Sequence, residues 1–180
     1  MPERILVDNG SPWGSDEEHR HTRLTVWLLR LGVVVIHGRA YHPQTQGKVE
    51  RFHRTLQAEV LRHKRFRDVS ECQACFSKWR DVYNWDRPHD ALGLRVPGDV
   101  YHPSKRSYPE TLPPLEYGPG DIVRKVHDGG RIYFRGRSYR IGKAFDGCRV
   151  ALRATAADGV MEVYFAATLI RSINLREGEG

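Results

Sequence analysis

The sequence predicts an α/β protein made of a strand–helix–strand half and a small all-β barrel of the SH3-like kind. Two short apolar runs, at residues 5–7 and 33–36, flank a stretch whose apolar residues recur at helical spacing. After residue 120 the apolar residues alternate with a period of two, in short runs separated by turn residues. We therefore expect one domain at residues 1–96 and a second at 121–176, joined by a proline-rich linker at 97–120.

Composition limits the classes of protein that this chain can belong to. Its 180 residues carry 29 Lys and Arg against 22 Asp and Glu, a net charge of +7 that favours a polyanionic partner. No apolar run approaches the roughly 20 residues of a membrane span, and the first residues lack the apolar core of a secretory signal. Three cysteines do not form a disulfide framework. We expect a protein of the reducing cytoplasm and not of a membrane.

The N-terminal half is predicted to hold two strands that flank a helix. Asp8 ends the first apolar run and precedes a turn at Asn9 and Gly10. Ser15, with Glu18 three residues later, forms a possible capping box for the helix, and Gly32 is a suitable C-terminal stop. The second apolar run follows as a buried strand.

Two further helices are predicted before the linker. The first covers residues 48–64, and the second begins after Asp68, which could form a capping box with Glu71. Cys72 and Cys75 have the spacing of a metal-ligand pair, but they lie on the apolar stripe of the second helix and no second pair lies nearby in the sequence. We interpret them as packing residues.

The C-terminal domain is predicted to consist of six short strands. Asp-Gly and Gly-Gly pairs separate most of them, as in a meander that closes into a small barrel. The predicted strands are residues 122–126, 131–135, 138–141, 148–153, 161–165 and 169–173.

Asp8 and Glu50 are the candidate catalytic residues and the candidate metal ligands. Asp8 ends a strand and Glu50 lies in the first turn of a helix, so the two carboxylates could converge on a hard divalent cation. Mg²⁺ prefers oxygen ligands and usually takes one or two protein carboxylates together with substrate phosphate. The alternative is that Glu50 interacts with the helix dipole and Asp8 caps a turn.

Basic residues surround Glu50 along its helix. Lys48, Arg51 and Arg54 begin a basic run that extends to Arg67, and such a run can follow a phosphate backbone. The alternative is an ordinary solvated helix face.

A second basic group lies in the predicted barrel. Arg131, Arg135, Arg137 and Arg140 alternate with aromatic residues, a pattern that can bind phosphates and stack on bases. The alternative is that the aromatic rings fill the barrel while the arginines keep its surface hydrated.

Four segments of the chain resemble insertion-sequence transposases of the retroviral-integrase type. They are VDNGSPW at 7–13, YHPQTQGKVERFHRTL at 41–56, YNWDRPHDAL at 83–92 and YHPS at 101–104. The resemblance covers roughly residues 4–108 and places Asp8 and Glu50 as the second and third acids of a DDE triad. It implies a ribonuclease H-like core in residues 1–96 that holds two Mg²⁺ or Mn²⁺ ions. It also implies cleavage and strand transfer on double-stranded DNA, at transposon ends and target, by a homo-oligomer.

The chain departs from the family in one respect, because the strands that carry the first acid of the triad have no counterpart before Asp8. We therefore expect a C-terminal portion of a transposase that is inactive alone. Two alternatives stay open: a catalytically inert DNA-binding remnant or regulator, and a nuclease of the same fold that hydrolyses DNA without joining it.

Overall fold

A computed structural model of the protein describes residues 1–14, 20–38 and 47–177, and it confirms a mixed α/β architecture. The helices are α1 (Arg23–Arg30), α2 (Gly47–Leu56), α3 (Val69–Asp81) and the short α4 (Pro97–Val100). The strands are β1 (Arg4–Val7), β2 (Val34–His37), β3 (Ile122–Lys125), β4 (Arg131–Phe134), β5 (Arg137–Arg140), β6 (Arg149–Ala154), β7 (Val160–Phe165) and β8 (Thr168–Asn174).

The chain divides into two compact units. The first unit combines residues 1–40 with residues 106–180, and the second unit is residues 41–105. This division cuts across residues 1–96, so the predicted domain boundaries at 96 and 120 stay a prediction.

The first unit opens with a parallel pair of strands connected through α1. β1 and β2 pair in register from Arg4 opposite Val34 to Val7 opposite His37, and α1 contacts β2. Helix α1 begins at Arg23 because Thr22 and Thr25 form a reciprocal capping box. The helix start predicted at Ser15 is therefore wrong, since residues 20–22 precede the helix, and Ser15 and Glu18 lie outside the described residues. Gly32 is confirmed as the C′ residue, which follows the C-cap Leu31, with a φ of +67°.

The second unit is helical, as predicted, but both of its long helices end in a wider turn. α2 continues into a π-helical turn at Gln57–Leu61, and α3 continues into another at Val82–Asp86. Asp68 caps α3 by accepting a hydrogen bond from the Glu71 backbone N–H at 2.8 Å. The ring of Phe52 lies 5.3 Å from the rings of both Trp79 and Tyr83, so aromatic contacts join the two helices.

All six C-terminal strands are present near their predicted positions, but they do not form a closed barrel in the described residues. β3, β6, β7 and β8 form an antiparallel four-stranded sheet in the order β3-β6-β7-β8, while β4 and β5 form a separate hairpin. The two sheets pack over one apolar core instead of joining edge to edge by hydrogen bonds. Alternation along the strands determines which side chains enter this core.

Helix α1 belongs to the same core as the C-terminal strands. Val26 and Leu29 of α1 are buried together with Phe145, Val150 and Phe165. The first and last parts of the chain therefore fold as one unit. Across the part of the chain that the structure describes, every helix is too short or too polar to cross a membrane.

Candidate active site and nucleic-acid interface

Asp8 lies immediately after β1, at the carboxyl end of the strand. Its side chain is exposed, and the following loop is closed by hydrogen bonds from the backbone N–H groups of Trp13 and Gly14 to the Gly10 carbonyl. The Asn9 side chain donates to the Gly38 carbonyl at 2.9 Å, which ties this loop to the end of β2. No described residue hydrogen-bonds to the Asp8 carboxylate, so it is available for a ligand.

Glu50 lies in the first turn of α2 and is also exposed. The side chains of Lys48, Arg51 and Arg54 are exposed on the same helix, and none of them forms an ion pair with a described residue. An acidic side chain is favourable at this end of a helix because the helix dipole is positive there. Helix α2 therefore carries one exposed carboxylate and three exposed cationic side chains that form no ion pair with a described residue.

Asp8 and Glu50 belong to different units of the chain, so each is described in its own surroundings. The segment that connects β2 to α2, including the family motif at residues 41–46, lies outside the described residues. That the two carboxylates share a metal ion stays a prediction.

The donor atoms of the described residues restrict the kind of metal site that the chain can form. Residues 1–14, 20–38 and 47–177 contain no group of three or more His, Cys, Asp or Glu side chains that could hold a metal ion. Cys72 and Cys75 are half-buried free thiols on α3, which fits a packing role and not a zinc site. Asp8 and Glu50 offer oxygen donors, the type that Mg²⁺ and Mn²⁺ accept.

The β4–β5 hairpin separates the four predicted DNA-binding arginines into two pairs. Arg131 and Arg140 are directly opposite each other across the strands, on the face away from the buried Ile132 and Tyr139. Arg131 donates to the Ser138 hydroxyl at 3.0 Å.

Arg135 and Arg137 have different surroundings. Arg135 is exposed in the two-residue turn with a φ of +51°, and its guanidinium lies 5.3 Å from the centre of the Phe134 ring. Arg137 donates from Nη1 to the carbonyls of Leu175 and Arg176 at 2.8 and 2.9 Å. Arg137 therefore holds the end of the chain against the hairpin, a role that the alternating pattern did not indicate.

Glu59 is an organising residue that the sequence interpretation missed. Its Oε2 accepts hydrogen bonds from Trp79 Nε1 at 2.7 Å and Arg87 Nη2 at 2.9 Å, and these bonds, that of Arg87 first, lower the pKa of Glu59. Glu59 thus connects the π turn after α2 to α3 and to the motif at 83–92. No local pattern could have indicated this, because the partners lie 20 and 28 residues away in sequence.

Comparisons with known proteins agree with the motifs. A family model described as an integrase core domain matches residues 31–97, and a model described as the C-terminal domain of IS481 family transposases matches residues 121–179. A Geobacillus stearothermophilus protein, named as a transposase for insertion sequence element IS5376, is 22% identical over 173 residues. The match covers 92% of this chain and 41% of that protein, so the chain spans about two fifths of the length of this curated relative.

Proposed function

This chain belongs to the insertion-sequence transposases of the integrase superfamily, and we propose that it is the C-terminal part of a metal-dependent enzyme that cleaves and joins DNA. The observation that carries the proposal is the exposure of two acidic motif residues, Asp8 and Glu50, and their lack of hydrogen-bond partners among the described residues. Asp8 and Glu50 are both exposed, and no described residue is bonded to either carboxylate. Exposed carboxylates at the end of a strand and at the start of a helix, with no hydrogen-bond partner, are suited to binding a cation.

Asp8 and Glu50 would hold Mg²⁺ or Mn²⁺ in the complete enzyme, and their donor atoms fit these ions. When bound, such ions activate the attacking oxygen and stabilise the leaving oxygen of a phosphoryl transfer. Lys48, Arg51 and Arg54 of α2 would bind the phosphates on either side of the scissile bond and orient the DNA for attack. Their cationic heads and the nearby Glu50 make one surface of α2 complementary to a metal-bridged phosphate.

The first acid of the triad would come from a segment upstream of Asp8. The parallel β1–β2 sheet is open on the side where Leu6, Val34 and Ile36 are 50%, 41% and 40% exposed. Parallel sheets are normally covered on both faces, so this side is suited to contact further parts of a ribonuclease H-like core. In this proposal the 180-residue chain alone neither cleaves nor joins DNA, and the active complex contains several copies of the enzyme.

The C-terminal module would bind double-stranded DNA, at the element ends and the target. Arg131 and Arg140 on the outer face of the hairpin, together with the exposed Arg135, would contact backbone phosphates. Exposed Tyr133 lies on the same face as Arg131 and Arg140 and would add an aromatic contact. The described residues of this module form a four-stranded sheet and a separate hairpin. That the module is an SH3-like barrel is part of the proposal.

Metal titration tests the catalytic part of the proposal. Mn²⁺ binding is measured by calorimetry on the full chain, on Asp8→Asn, on Glu50→Gln, and on Asp81→Asn as a control at an exposed carboxylate of α3. We expect affinity to fall by more than roughly a hundredfold in each of the first two variants, since outright loss of a ligand costs more than the 10–100-fold of an outer-shell change. Equal affinity in all four proteins would contradict the metal site.

A catalytically inert DNA-binding remnant or regulator is the second candidate. It is favoured by the absence, among the described residues, of any group of three metal-ligating side chains. Assays with end-labelled DNA separate the candidates once an upstream segment carrying the missing acid is supplied. Joined products would support the transposase, hydrolysis alone would support a nuclease, and DNA binding without either would support the remnant. Joined products from the 180-residue chain alone would contradict the proposed truncation.

A further inference from the structure

A polar pocket in the first unit is lined by residues other than the four hairpin arginines. It has a volume of about 340 Å³ and lies between the segment before α1, the turn after β5 and the edge strand β8. That volume corresponds to the share of roughly ten water molecules in liquid water, enough for a phosphate group and part of its sugar. The polar residues that line it are Arg20, His21, Arg171 and Ser172.

Two arginines line this pocket, and among the described residues neither has a countercharge. Arg20 and Arg171 are both exposed, and neither guanidinium forms an ion pair or a hydrogen bond with a described residue. Arginine binds oxyanions in a planar, often bidentate arrangement, so two of them at one pocket are suited to a tetrahedral anion. Ser172, the neighbour of Arg171 in β8, also lines the pocket.

His21 adds a neutral imidazole to the pocket. Its ring lies 5.1 Å from the ring of buried Phe145, in an edge-to-face arrangement. Burial, followed by the charges of Arg20 and His37, lowers the pKa of His21 to about 4. At neutral pH the ring is therefore uncharged and presents one N–H donor, so the cationic charge of the pocket comes from the arginines.

We propose that Arg20, His21, Arg171 and Ser172 form a binding site for a DNA backbone phosphate, a contact separate from those of the hairpin and of α2. The inference rests on the proposed function for the identity of the ligand, because the chemistry of the pocket fits an oxyanion and the transposase role makes that oxyanion a DNA phosphate. The site extends the DNA surface of the C-terminal module to β8. It would fix the position of a strand without recognising its sequence.

The competing explanation is that Arg171 prevents the edge strand β8 from pairing with a strand of another sheet. A charged side chain that points inward on an edge strand prevents pairing with another sheet. Arg171 is opposite Val163 in the register, and Val163 faces the core. This explanation does not require Arg20. Measuring both DNA affinity and self-association of a double substitution at Arg20 and Arg171 therefore distinguishes the two roles.

DNA affinity is the first test, measured by fluorescence anisotropy with a short duplex at several salt concentrations. The full chain is compared with Arg20→Gln/Arg171→Gln and with Arg80→Gln/Arg176→Gln, a control that removes the same charge from arginines already paired with Asp81 and Asp158. We expect the first pair to weaken binding roughly fivefold to tenfold and to reduce the salt slope by about 0.9, the value for one phosphate contact. Equal affinity and slope in the two double variants would overturn the site, and self-association of the first variant with unchanged DNA binding would support edge protection instead.

The second test uses His21 as a reporter and inorganic phosphate as the probe. Below about pH 6 phosphate is a monoanion, as a phosphodiester is. An anion at the pocket would offset Arg20, so we expect the midpoint of the His21 titration, followed by NMR, to rise by roughly one pH unit in the full chain and not in Arg20→Gln/Arg171→Gln. An unchanged midpoint would overturn the site. If the full chain binds no duplex but phosphate still moves this midpoint, the proposed function fails and the pocket stands.

Discussion

At the scale of single residues, backbone conformation restricts the choice of side chain most strongly at Gly130. Its φ is +113°, and the backbone N–H groups of Ile141 and Gly142 both donate to its carbonyl, at 2.7 and 3.0 Å. An added Cβ would lie 2.4 Å from the Gly142 carbonyl carbon. The turn before β4 and the turn after β5 can approach this closely only if residue 130 has no side chain.

We expect Gly130→Ala to lower the free energy of unfolding by at least about 3 kcal/mol, because backbone strain and a backbone clash add together. Gly129→Ala is the matched control: φ is +73°, but nothing lies within 4 Å of the added Cβ. That variant should lose only about 1 kcal/mol. Urea denaturation of both variants measures the difference, and equal losses would show that the close approach at Gly130 contributes nothing.

His21 makes stability depend on pH at a second single residue. In the unfolded chain its imidazole takes a proton near pH 6.5, whereas the folded chain resists protonation until the pKa of about 4. The unfolded state therefore binds more protons between these values, and stability should fall as pH decreases from about 6.5 to 4, by up to about 3 kcal/mol. Denaturation midpoints of the wild type and His21→Gln across this range provide the check, and the same slope in both proteins would exclude His21 as the cause.

At the scale of secondary-structure elements, the sequence correctly predicted the features that depend on residues close together in the chain. Alternation and turn residues located all six C-terminal strands, and Asp68 was correctly identified as the residue that caps α3. The start of α1 was wrong because the helix is capped by the Thr22–Thr25 pair, which the sequence analysis did not identify. The π turns were missed because they follow from packing between helices, which short-range periodicity does not record.

The junction of α2 and α3 depends on the Glu59 carboxylate. We expect Glu59→Gln to lower the free energy of unfolding by about 1 kcal/mol, a modest loss since both ion-pair partners are about one-third exposed. The Trp79 indole N–H resonance should move upfield as its bond to the carboxylate weakens. Asp81→Asn, at the exposed Arg80–Asp81 pair, should change neither quantity. An unmoved Trp79 resonance in Glu59→Gln would show that this hydrogen bond does not form in solution.

At the scale of the whole molecule, the two sides of the β1–β2 sheet differ in what covers them. Val35 is half-buried on the α1 side, whereas Ile36 is exposed on the opposite side. Uncovered apolar strands promote association between chains. We expect Ile36→Thr to reduce self-association with little effect on stability, and Val35→Thr to reduce stability instead. Light scattering over a concentration series and thermal denaturation provide the two readouts, and equal scattering by wild type and Ile36→Thr would contradict the role of this face.

The candidate site was predictable to the extent that it depends on local sequence. Asp8 at the end of a strand and Glu50 in the first turn of a helix follow from apolar runs and turn residues, and both occupy those places. The different contacts of the four hairpin arginines were not predictable. Arg137 and Arg140 lie on opposite faces of the hairpin, and Arg137 also contacts carbonyls 38 and 39 residues later, a contact that alternation alone does not indicate.

The shared core of α1 and the C-terminal strands changes how the protein would respond to proteolysis. Val26 and Leu29 pack with side chains from beyond residue 120, although the intervening arm at 107–120 is largely exposed. A protease nick in that arm would cut the chain without separating the apolar surfaces. The two fragments would elute together from a native column and part only in denaturant, so a limited digest would make this module look intact when its backbone is not.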